Sequence, residues 1–323
     1  MSRLARGYLD GVTAYLIWGL FPLFWPLLKP AGALEILAHR IFFSFVFVQL
    51  LVWRAHQWPR IRAVLAAPRT RWLLVAAALL VTVNWGVYIW AVNNKHVIEA
   101  SLGYFINPLL SILAGVVIFR ERLRRAQWVA VGIASVAIVV LTVDYGQLPW
   151  IALLLAFSFA GYGLCKKSAG VGAVESLAIE SGVLALPALV VLIVLQARGS
   201  LVFAHHGVGT TLLLISAGAV TAVPLLFFGA AARVLPLSAM GLIQYLTPVL
   251  QFLVGVTVTH ESMPAARWIG FALVWAALAL ISADALRHQL RPPTPVVSAG
   301  PVDNQLDDRV EPQPSGHVRQ FGQ

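Results

Sequence analysis

Long apolar blocks separated by short polar connections dominate the pattern of this chain. A helix needs about 20 apolar residues to cross a bilayer, and the blocks have about that length. They lie near residues 8–28, 34–53, 72–93, 97–119, 127–143, 148–165, 174–197, 208–232, 237–259 and 265–286. The pattern predicts an all-α polytopic membrane protein with ten transmembrane helices.

The first block is preceded by Arg3 and Arg6 and therefore resembles a signal peptide. It is too long for one, however, it contains Pro22 and Pro26, and no small-residue cleavage site follows it. We expect this block to be a retained first span.

The composition agrees with a membrane protein. Of 323 residues, 59% are apolar and 11% are charged, whereas globular proteins average about 25% charged residues. The mean hydropathy is +0.83. Too little polar surface remains to coat a water-soluble body, which excludes an ordinary cytosolic enzyme, a secreted disulfide domain and a disordered protein. The one cysteine, Cys165, excludes an intrachain disulfide and a cysteine-based zinc site.

Positive charge is distributed unevenly between alternate connections. The net charge is +10, and 18 of the 23 Lys and Arg residues lie in the terminal segments and in every second connection. The other connections hold Lys29, Lys95, Arg198 and Arg267, and Arg40 lies within a block. Because cytoplasmic loops carry the excess of Lys and Arg, this pattern predicts an even number of spans and two cytoplasmic termini. We interpret the charge as an orientation signal and expect no nucleic-acid partner.

The two halves of the chain match at an offset of 140 residues. The matches include Asn107-Pro108 with Thr247-Pro248, Gly115 with Gly255, Glu121 with Glu261, Trp128 with Trp268 and Glu35 with Glu175. Each half has five blocks, so the second half enters the membrane from the opposite side, as in the inverted repeats of secondary transporters. We predict a first repeat at 1–143 (helices 1–5), a second repeat at 144–286 (helices 6–10) and a disordered cytoplasmic tail at 287–323.

Two prolines in corresponding positions predict broken helices. A proline inside a helix removes a hydrogen bond and clashes with the carbonyl four residues earlier, here that of Tyr104 for Pro108 and that of Gln244 for Pro248. Asn107 lies about ten residues into its block, close to the bilayer midplane. Matched helix breaks at this depth point to a binding site, although a structural kink that packs helices together is an equally good interpretation.

Arg40 is the most unusual residue of the blocks, because a charge inside a span is costly and normally faces a cavity or a partner. It lies about 9 Å from the predicted periplasmic end, so it could also snorkel to the surface. The repeat pairs it with Glu180, which lies about 9 Å from the cytoplasmic end. We therefore predict two separate charged positions at different depths in the membrane, an outer cation and an inner carboxylate. Arg40 with His39 would orient an anionic or zwitterionic group, and Glu180 is a candidate for proton coupling, with a structural role as the alternative.

Neutral polar and aromatic residues complete the predicted site. Asn84 could hydrogen-bond a ligand or hold two helices together, which is the commoner use of such a residue. Trp25 and Trp90 are expected in the interfacial aromatic belts. The predicted substrate-binding residues are Arg40, His39, Trp18, Asn84, Tyr88, Tyr104, Asn107, Gln244 and Tyr245.

Motifs for other chemistry do not occur in the sequence. There is no Gly-x-x-x-x-Gly-Lys-Ser/Thr loop of an ATPase and no His-Glu-x-x-His zinc motif. His205-His206 is an isolated pair without further ligands. We expect no catalytic residues, no metal site and no cofactor.

Several motifs resemble the RarD group of EamA permeases, which belong to the drug/metabolite transporter superfamily. They are residues 18–25 (WGLFPLFW), 35–44 (EILAHRIFFS), 84–93 (NWGVYIWAVN), 99–108 (EASLGYFINP), 119–122 (FRER), 224–229 (PLLFFG) and 244–248 (QYLTP). The likeness covers roughly residues 7–285. It implies ten helices in an inverted five-helix repeat and secondary transport of small metabolites or drugs across the bacterial inner membrane. The group is named for chloramphenicol sensitivity, which does not fix a substrate.

The sequence as a whole predicts a secondary active transporter that works by alternating access, with export and proton coupling as further expectations. The cavity would be built from helices 1–4 and 6–9, and helices 5 and 10 would be peripheral. We expect a small-molecule substrate, the lipid bilayer as surroundings, and a monomer or homodimer. The alternatives are a membrane receptor or assembly factor that transports nothing and an intramembrane enzyme, for which no catalytic set is found.

Overall fold

The computed structural model describes residues 2–119, 125–232, 234–235 and 243–289, and every regular element within these ranges is helical. Arg120, Glu121, Arg122, Arg124, Arg233 and the tail after residue 289 lie outside them. The α-helices are α1 (Arg3–Gly19), α2 (Phe21–Phe24), α3 (Ala33–Arg54), α4 (Trp58–Ala66), α5 (Pro68–Asn93), α6 (Val97–Phe119), α7 (Arg125–Tyr145), α8 (Trp150–Ala169), α9 (Ala173–Ala197), α10 (Val208–Ala232), α11 (Leu246–Thr257) and α12 (Ala265–Gln289), and a 3₁₀-helix covers Trp25–Leu28.

Six helices within the described ranges are long and apolar enough to cross a membrane: α3, α5, α7, α9, α10 and α12. The bent pair of α1 with residues 21–28 would make a seventh. Shorter apolar helices cover Val97–Leu110, Trp150–Lys166 and Leu246–Thr257. The chain is therefore an all-helical, multi-pass membrane protein. Helices occupy each of the ten predicted blocks, except that the start of the ninth lies outside the described residues.

The two matched prolines differ in their effect. Helix α6 continues through Pro108 without interruption, so the predicted break is wrong there. Before Pro248 the helix is interrupted, because residues 244 and 245 form a turn between the helical residue 243 and α11. Pro248 is the third residue of α11, in the first turn, where a missing N–H costs no helical hydrogen bond. The clearest bend is the 42° kink after α1, where Pro22 and Pro26 lie. Helix α4, which the pattern did not predict, is a short helix in the connection between α3 and α5.

Several helix–helix contacts recur when each helix is replaced by its counterpart from the other half. The offset of 140 residues makes α1, α3, α5, α6 and α7 correspond to α8, α9, α10, α11 and α12. Helix α8 packs on α5 and α6, and its counterpart α1 packs on α10 and α11. Helix α3 packs on α10, and its counterpart α9 packs on α5. The corresponding pairs α3/α9, α6/α11 and α7/α12 also contact each other.

Glycines let some of these helices approach closely, as small residues do in membrane bundles. A Cβ atom on Gly218 of α10 would lie 2.5 Å from the Phe43 carbonyl carbon of α3. One on Gly103 of α6 would lie 2.7 Å from the Ala152 carbonyl oxygen of α8. Larger side chains at these positions would push the helices apart.

Carboxylates tie the two halves together at both ends of the bundle. Glu35 at the start of α3 accepts hydrogen bonds from the backbone N–H groups of Val202 and Phe203, at 2.9 Å from Oε1 in each case. Its repeat counterpart Glu175, at the start of α9, lies 3.7 Å from Nη1 of Arg60. Each glutamate thus reaches the connection that follows the corresponding helix of the other half.

A third carboxylate, Glu261, lies in the connection after α11 and caps α6. It accepts the backbone N–H groups of Val97 at 2.6 Å and of Ile98 at 3.0 Å. Burial raises the pKa of the Glu261 carboxyl, although the two backbone donors act in the opposite direction. This cap holds the start of α6 against the end of α11.

Candidate functional site

A central cavity of about 640 Å³ lies between the two halves. Its lining comes from α1, α2, α3, α5, α6, α8, α9, α10 and α11, together with residue 244 before α11, and no described residue of α7 or α12 lines it. The described residues of the fifth and tenth predicted blocks therefore do not line the cavity. The cavity collects these predicted residues: Trp18, Arg40, Asn84, Tyr88, Tyr104, Asn107, Gln244 and Pro248.

Arg40 lies at one end of the cavity inside a cage of aromatic rings. Its guanidinium carbon is 3.9 Å from the ring centroid of Trp85, 4.9 Å from that of Trp25 and 5.5 Å from that of Phe21. The side chain is 2% exposed. A guanidinium on aromatic faces gains cation–π attraction, which is stronger where water is excluded.

The aromatic rings of the cage offer no hydrogen-bond acceptor to Nε and Nη1 of Arg40. Within the described ranges, Nε and Nη1 of Arg40 are buried and have no hydrogen-bond partner, and no carboxylate forms an ion pair with it. Burying an unpaired charge is costly, and this guanidinium belongs to the lining of the cavity. The alternative that Arg40 snorkels to the membrane surface does not fit its burial.

Trp25 forms part of this cage and not of an interfacial belt. Its side chain is fully buried, because the 3₁₀-helix turns it inward against Arg40 after the kink at the end of α1. Trp90, by contrast, is exposed, stacks on His96 with ring centroids 5.6 Å apart and lies beside Trp150. The belt prediction fits Trp90 and is wrong for Trp25.

The middle of the cavity has an aromatic and amide wall. Trp18 makes edge contacts with Tyr15 at 5.2 Å and lies 5.8 Å from Phe228. Gln251 donates from Nε2 to the Trp18 carbonyl at 3.3 Å, and Thr247 donates to the Tyr15 carbonyl at 2.8 Å. These two bonds fix α1 against α11 and set the position of the wall.

Asn84 holds two helices together and positions Tyr104. Its Nδ2 donates to the Leu155 carbonyl at 2.9 Å and to Ser158 Oγ at 3.0 Å, both on α8. Its Oδ1 accepts the Tyr104 hydroxyl at 2.9 Å. Asn84 therefore links helices, which is one of the two interpretations left open for it, and it also belongs to the lining of the cavity. Tyr104 and Tyr88, whose rings lie 5.7 Å apart, both line the cavity.

Glu180 lies behind the lining of the cavity, and three polar side chains hydrogen-bond to its carboxylate. Within the described part of the chain it accepts hydrogen bonds from Ser176 Oγ at 2.5 Å, Lys166 Nζ at 3.0 Å and Tyr162 Oη at 3.2 Å. Lys166 and Tyr162 line the cavity, whereas Glu180 lies behind them and is 3% exposed. As predicted, Glu180 and Arg40 form no ion pair and lie in separate environments.

His39 and Tyr245 are not among the residues that line the cavity. His39 precedes Arg40 on α3 and therefore points to another face of the helix, where Nε2 lies 3.6 Å from Glu35 and the ring lies 4.6 Å from that of Phe203. Tyr245 packs on the apolar cluster between α6 and α12. The prediction that His39 assists Arg40 is not matched by this placement.

Sequence reasoning missed several lining residues, although their spacing carried a signal. Residues three or four positions apart share one face of a helix, so each predicted residue points to further ones. Trp18 leads to Tyr15 and Phe21, and Gln244 leads to Thr247 and then Gln251. Tyr162 and Lys166 are likewise four apart on α8, but no predicted residue on that helix indicated them.

Known proteins resemble this chain over most of its length. The model of the EamA-like transporter family matches residues 5–143. Protein RarD of Streptomyces exfoliatus is 56% identical over 92% of this chain and 94% of its own. An uncharacterized transporter of Pseudomonas aeruginosa is 42% identical over 91% of this chain and 99% of its own. One crystal structure, 19% identical, covers 88% of this chain and all of its own with a TM-score of 0.56, a likeness of fold alone.

Proposed function

The chain belongs to the EamA-like transporter family and, within it, to the RarD group, and from this premise we propose a secondary active transporter of small metabolites or drugs. It works by alternating access in the bacterial inner membrane. The observation that carries the proposal is the central cavity, which both halves line and which contains a buried, unpaired Arg40. A charged residue inside a membrane-spanning segment normally marks a functional site.

We further propose that ten helices form an inverted repeat of five plus five. Helix α1 of the first half packs on α10 and α11 of the second half, and its counterpart α8 packs on α5 and α6 of the first half. This reciprocal packing supports the inverted repeat. The reciprocal contacts of Glu35 and Glu175 support it as well. Two similar halves around one cavity can rock so that the cavity opens to either side in turn.

Both termini are placed in the cytoplasm in this proposal, on the strength of the Lys and Arg distribution. Lys166, near the end of α8, then lies toward the cytoplasm, and Arg40, two turns into α3, lies toward the periplasm. Lys166 is 26% exposed and Arg40 is enclosed. The structure would accordingly represent an inward-facing state in which the aromatic cage closes the outer end.

Arg40 is the proposed anchor of the substrate and Glu180 the proposed coupling residue. A proton that reaches Glu180 would neutralise it and release Lys166, 3.0 Å away, into the cavity. Proton binding would thereby change the charge at the inner end. Export is the proposed direction, and chloramphenicol is a compound to test because of the name of the group.

Transport assays in proteoliposomes test the proposal. Purified protein should move at least one compound from a panel of amino acids, monocarboxylates, peptide-like compounds and chloramphenicol when a pH gradient is imposed. Replacement of Arg40 by Gln should abolish this flux, because the anchor is lost. Arg54→Gln on the same helix is a matched control, because Arg54 is exposed outside the cavity, and it should transport normally.

A protein that binds members of the panel but moves none of them under any gradient would contradict transport and favour the receptor or assembly-factor alternative. Equal flux by the Arg40→Gln variant would leave transport standing but would remove Arg40 from the binding site. Flux that is independent of the pH gradient would contradict proton coupling alone.

A further inference from the structure

The charges around the cavity are unbalanced, and this imbalance bears on the substrate that the proposed function leaves open. Among the described lining residues, Arg40 and Lys166 are the charged ones. Lys166 is neutralised by Glu180 at 3.0 Å. Arg40 has no ion-pair partner within the described ranges, so the cavity carries one uncompensated positive charge at its enclosed end.

Among the described residues that line the cavity there is no carboxylate to receive a positively charged group of a substrate. Glu180 lies behind Tyr162 and Lys166, and its carboxylate already accepts hydrogen bonds from both of them and from Ser176. Glu35 faces the connection before α10, and Glu99 accepts the backbone N–H of Ile151. A substrate ammonium would have to lose water without gaining an anion.

Aromatic faces do not replace the missing anion. Trp18, Tyr15 and Phe228 could attract an ammonium group by cation–π contact. This attraction is smaller than the cost of removing a charged group from water, and Arg40 repels a second cation in the same low-dielectric space. The same faces, however, are well suited to an apolar body.

We infer that the substrate is a small organic anion, such as a monocarboxylate, that has an apolar body and no ammonium group. Its carboxylate would pair with the guanidinium of Arg40, which lines the cavity, and its body would lie along the wall of Trp18, Tyr15 and Phe228. This inference rests on the proposed function and narrows it, because it separates anionic from zwitterionic substrates.

Three probes with one skeleton test the inference: 3-phenylpropionate, phenylalanine and phenethylamine, which are an anion, a zwitterion and a cation. Their binding to the full chain in detergent is measured by thermal shift, since a ligand that binds only the folded state raises its stability, and by titration. We expect 3-phenylpropionate to bind about 10-fold more tightly than phenylalanine and about 100-fold more tightly than phenethylamine.

Two variants test whether Arg40 causes this order of binding affinities among the three probes. Arg40→Gln should bind all three probes equally weakly, whereas Arg54→Gln on the same helix should keep the order. The unfolding temperature of Arg40→Gln without a probe shows whether it folds, and the order on the unaltered chain tests the inference independently of the variant.

Phenylalanine or phenethylamine binding as tightly as 3-phenylpropionate would overturn the inference, and so would the absence of binding by all three. Flux of a zwitterion in proteoliposomes would overturn it as well but would leave transport intact. Selective binding of 3-phenylpropionate with no flux of any compound would support the anion site and contradict the transporter.

Discussion

Arg40 and Glu180 occupy corresponding positions of the two halves, 140 residues apart, yet their surroundings are opposite. Arg40 has three aromatic rings within 5.5 Å of its guanidinium carbon among the described residues and no acceptor for Nε or Nη1. Glu180 has a hydroxyl on either side and an ammonium at 3.0 Å. Both side chains are almost completely buried.

The difference teaches that two buried charges in one fold can have different purposes. A buried charge with a full set of partners belongs to the resting structure, and removal of one partner leaves the other unpaired at a high cost. A buried charge without a partner adds little to stability and is retained only if something else binds to it. By this comparison Glu180 and Lys166 form a structural ion pair, whereas Arg40 is the proposed binding position.

The largest expected effect on stability is that of breaking the ion pair between Glu180 and Lys166. Lys166→Met should destabilise the protein by about 3 kcal/mol, because Glu180 loses its counter-ion while it stays buried. The lower end of the range for buried pairs applies, since Lys166 is 26% exposed. Thermal unfolding in detergent, followed by tryptophan fluorescence, measures the loss.

The double variant Lys166→Met with Glu180→Gln is the control. It should recover most of the lost stability, because the neutral amide no longer needs a counter-ion and Ser176 and Tyr162 remain as neighbours. If the double variant is as unstable as Lys166→Met alone, then the loss comes from packing of the lysine and not from the unpaired carboxylate.

A smaller effect is expected at the cage. Trp85→Leu removes the ring closest to the guanidinium, 3.9 Å away, and should cost about 2 kcal/mol for a desolvated cation–π contact. A double-mutant cycle with Arg40→Met isolates this contact from the loss of apolar packing. A coupling energy near zero between the two substitutions would show that the cage is a packing arrangement without electrostatic content.

The smallest effect, and the sharpest test of the contrast, is that of Arg40→Met on stability. The unliganded protein should unfold within about 1 kcal/mol of the wild type or at a higher temperature, because an apolar side chain of similar length replaces an unpaired buried charge. The same unfolding assay measures it beside Lys166→Met. A loss as large as that of Lys166→Met would mean that Arg40 has a structural partner and that the two ends are alike.

Much of the fold follows from simple signals in the sequence. The length of the apolar blocks places the helices, and the match of Glu35 with Glu175 or Asn107-Pro108 with Thr247-Pro248 indicates two related halves. Arg40 stands out because a charge within an apolar block is rare. Such signals depend on composition and position along the chain. They can therefore be recognised without knowledge of how the helices are rotated against each other.

What was not predictable depends on that rotation. Trp25 was expected at the interface, because sequence position alone cannot show that a kink and a 3₁₀ turn direct its ring onto Arg40. His39 is adjacent to Arg40 in sequence but faces Glu35. Lys166 counted as a cytoplasmic orientation charge, and only the packing of α8 against α9 reveals that it neutralises Glu180.

The packing of α1 on helices of the second half also has a consequence for the folding of the protein during translation. Helix α1 is synthesised first, but the helices that it packs against, α10 and α11, are among the last, and the bond from Thr247 to the Tyr15 carbonyl joins residues 232 positions apart. Helix α1 can therefore pack on these two helices only after nearly the whole chain has been translated. A first half translated alone would therefore contain α1 without the two helices on which it packs.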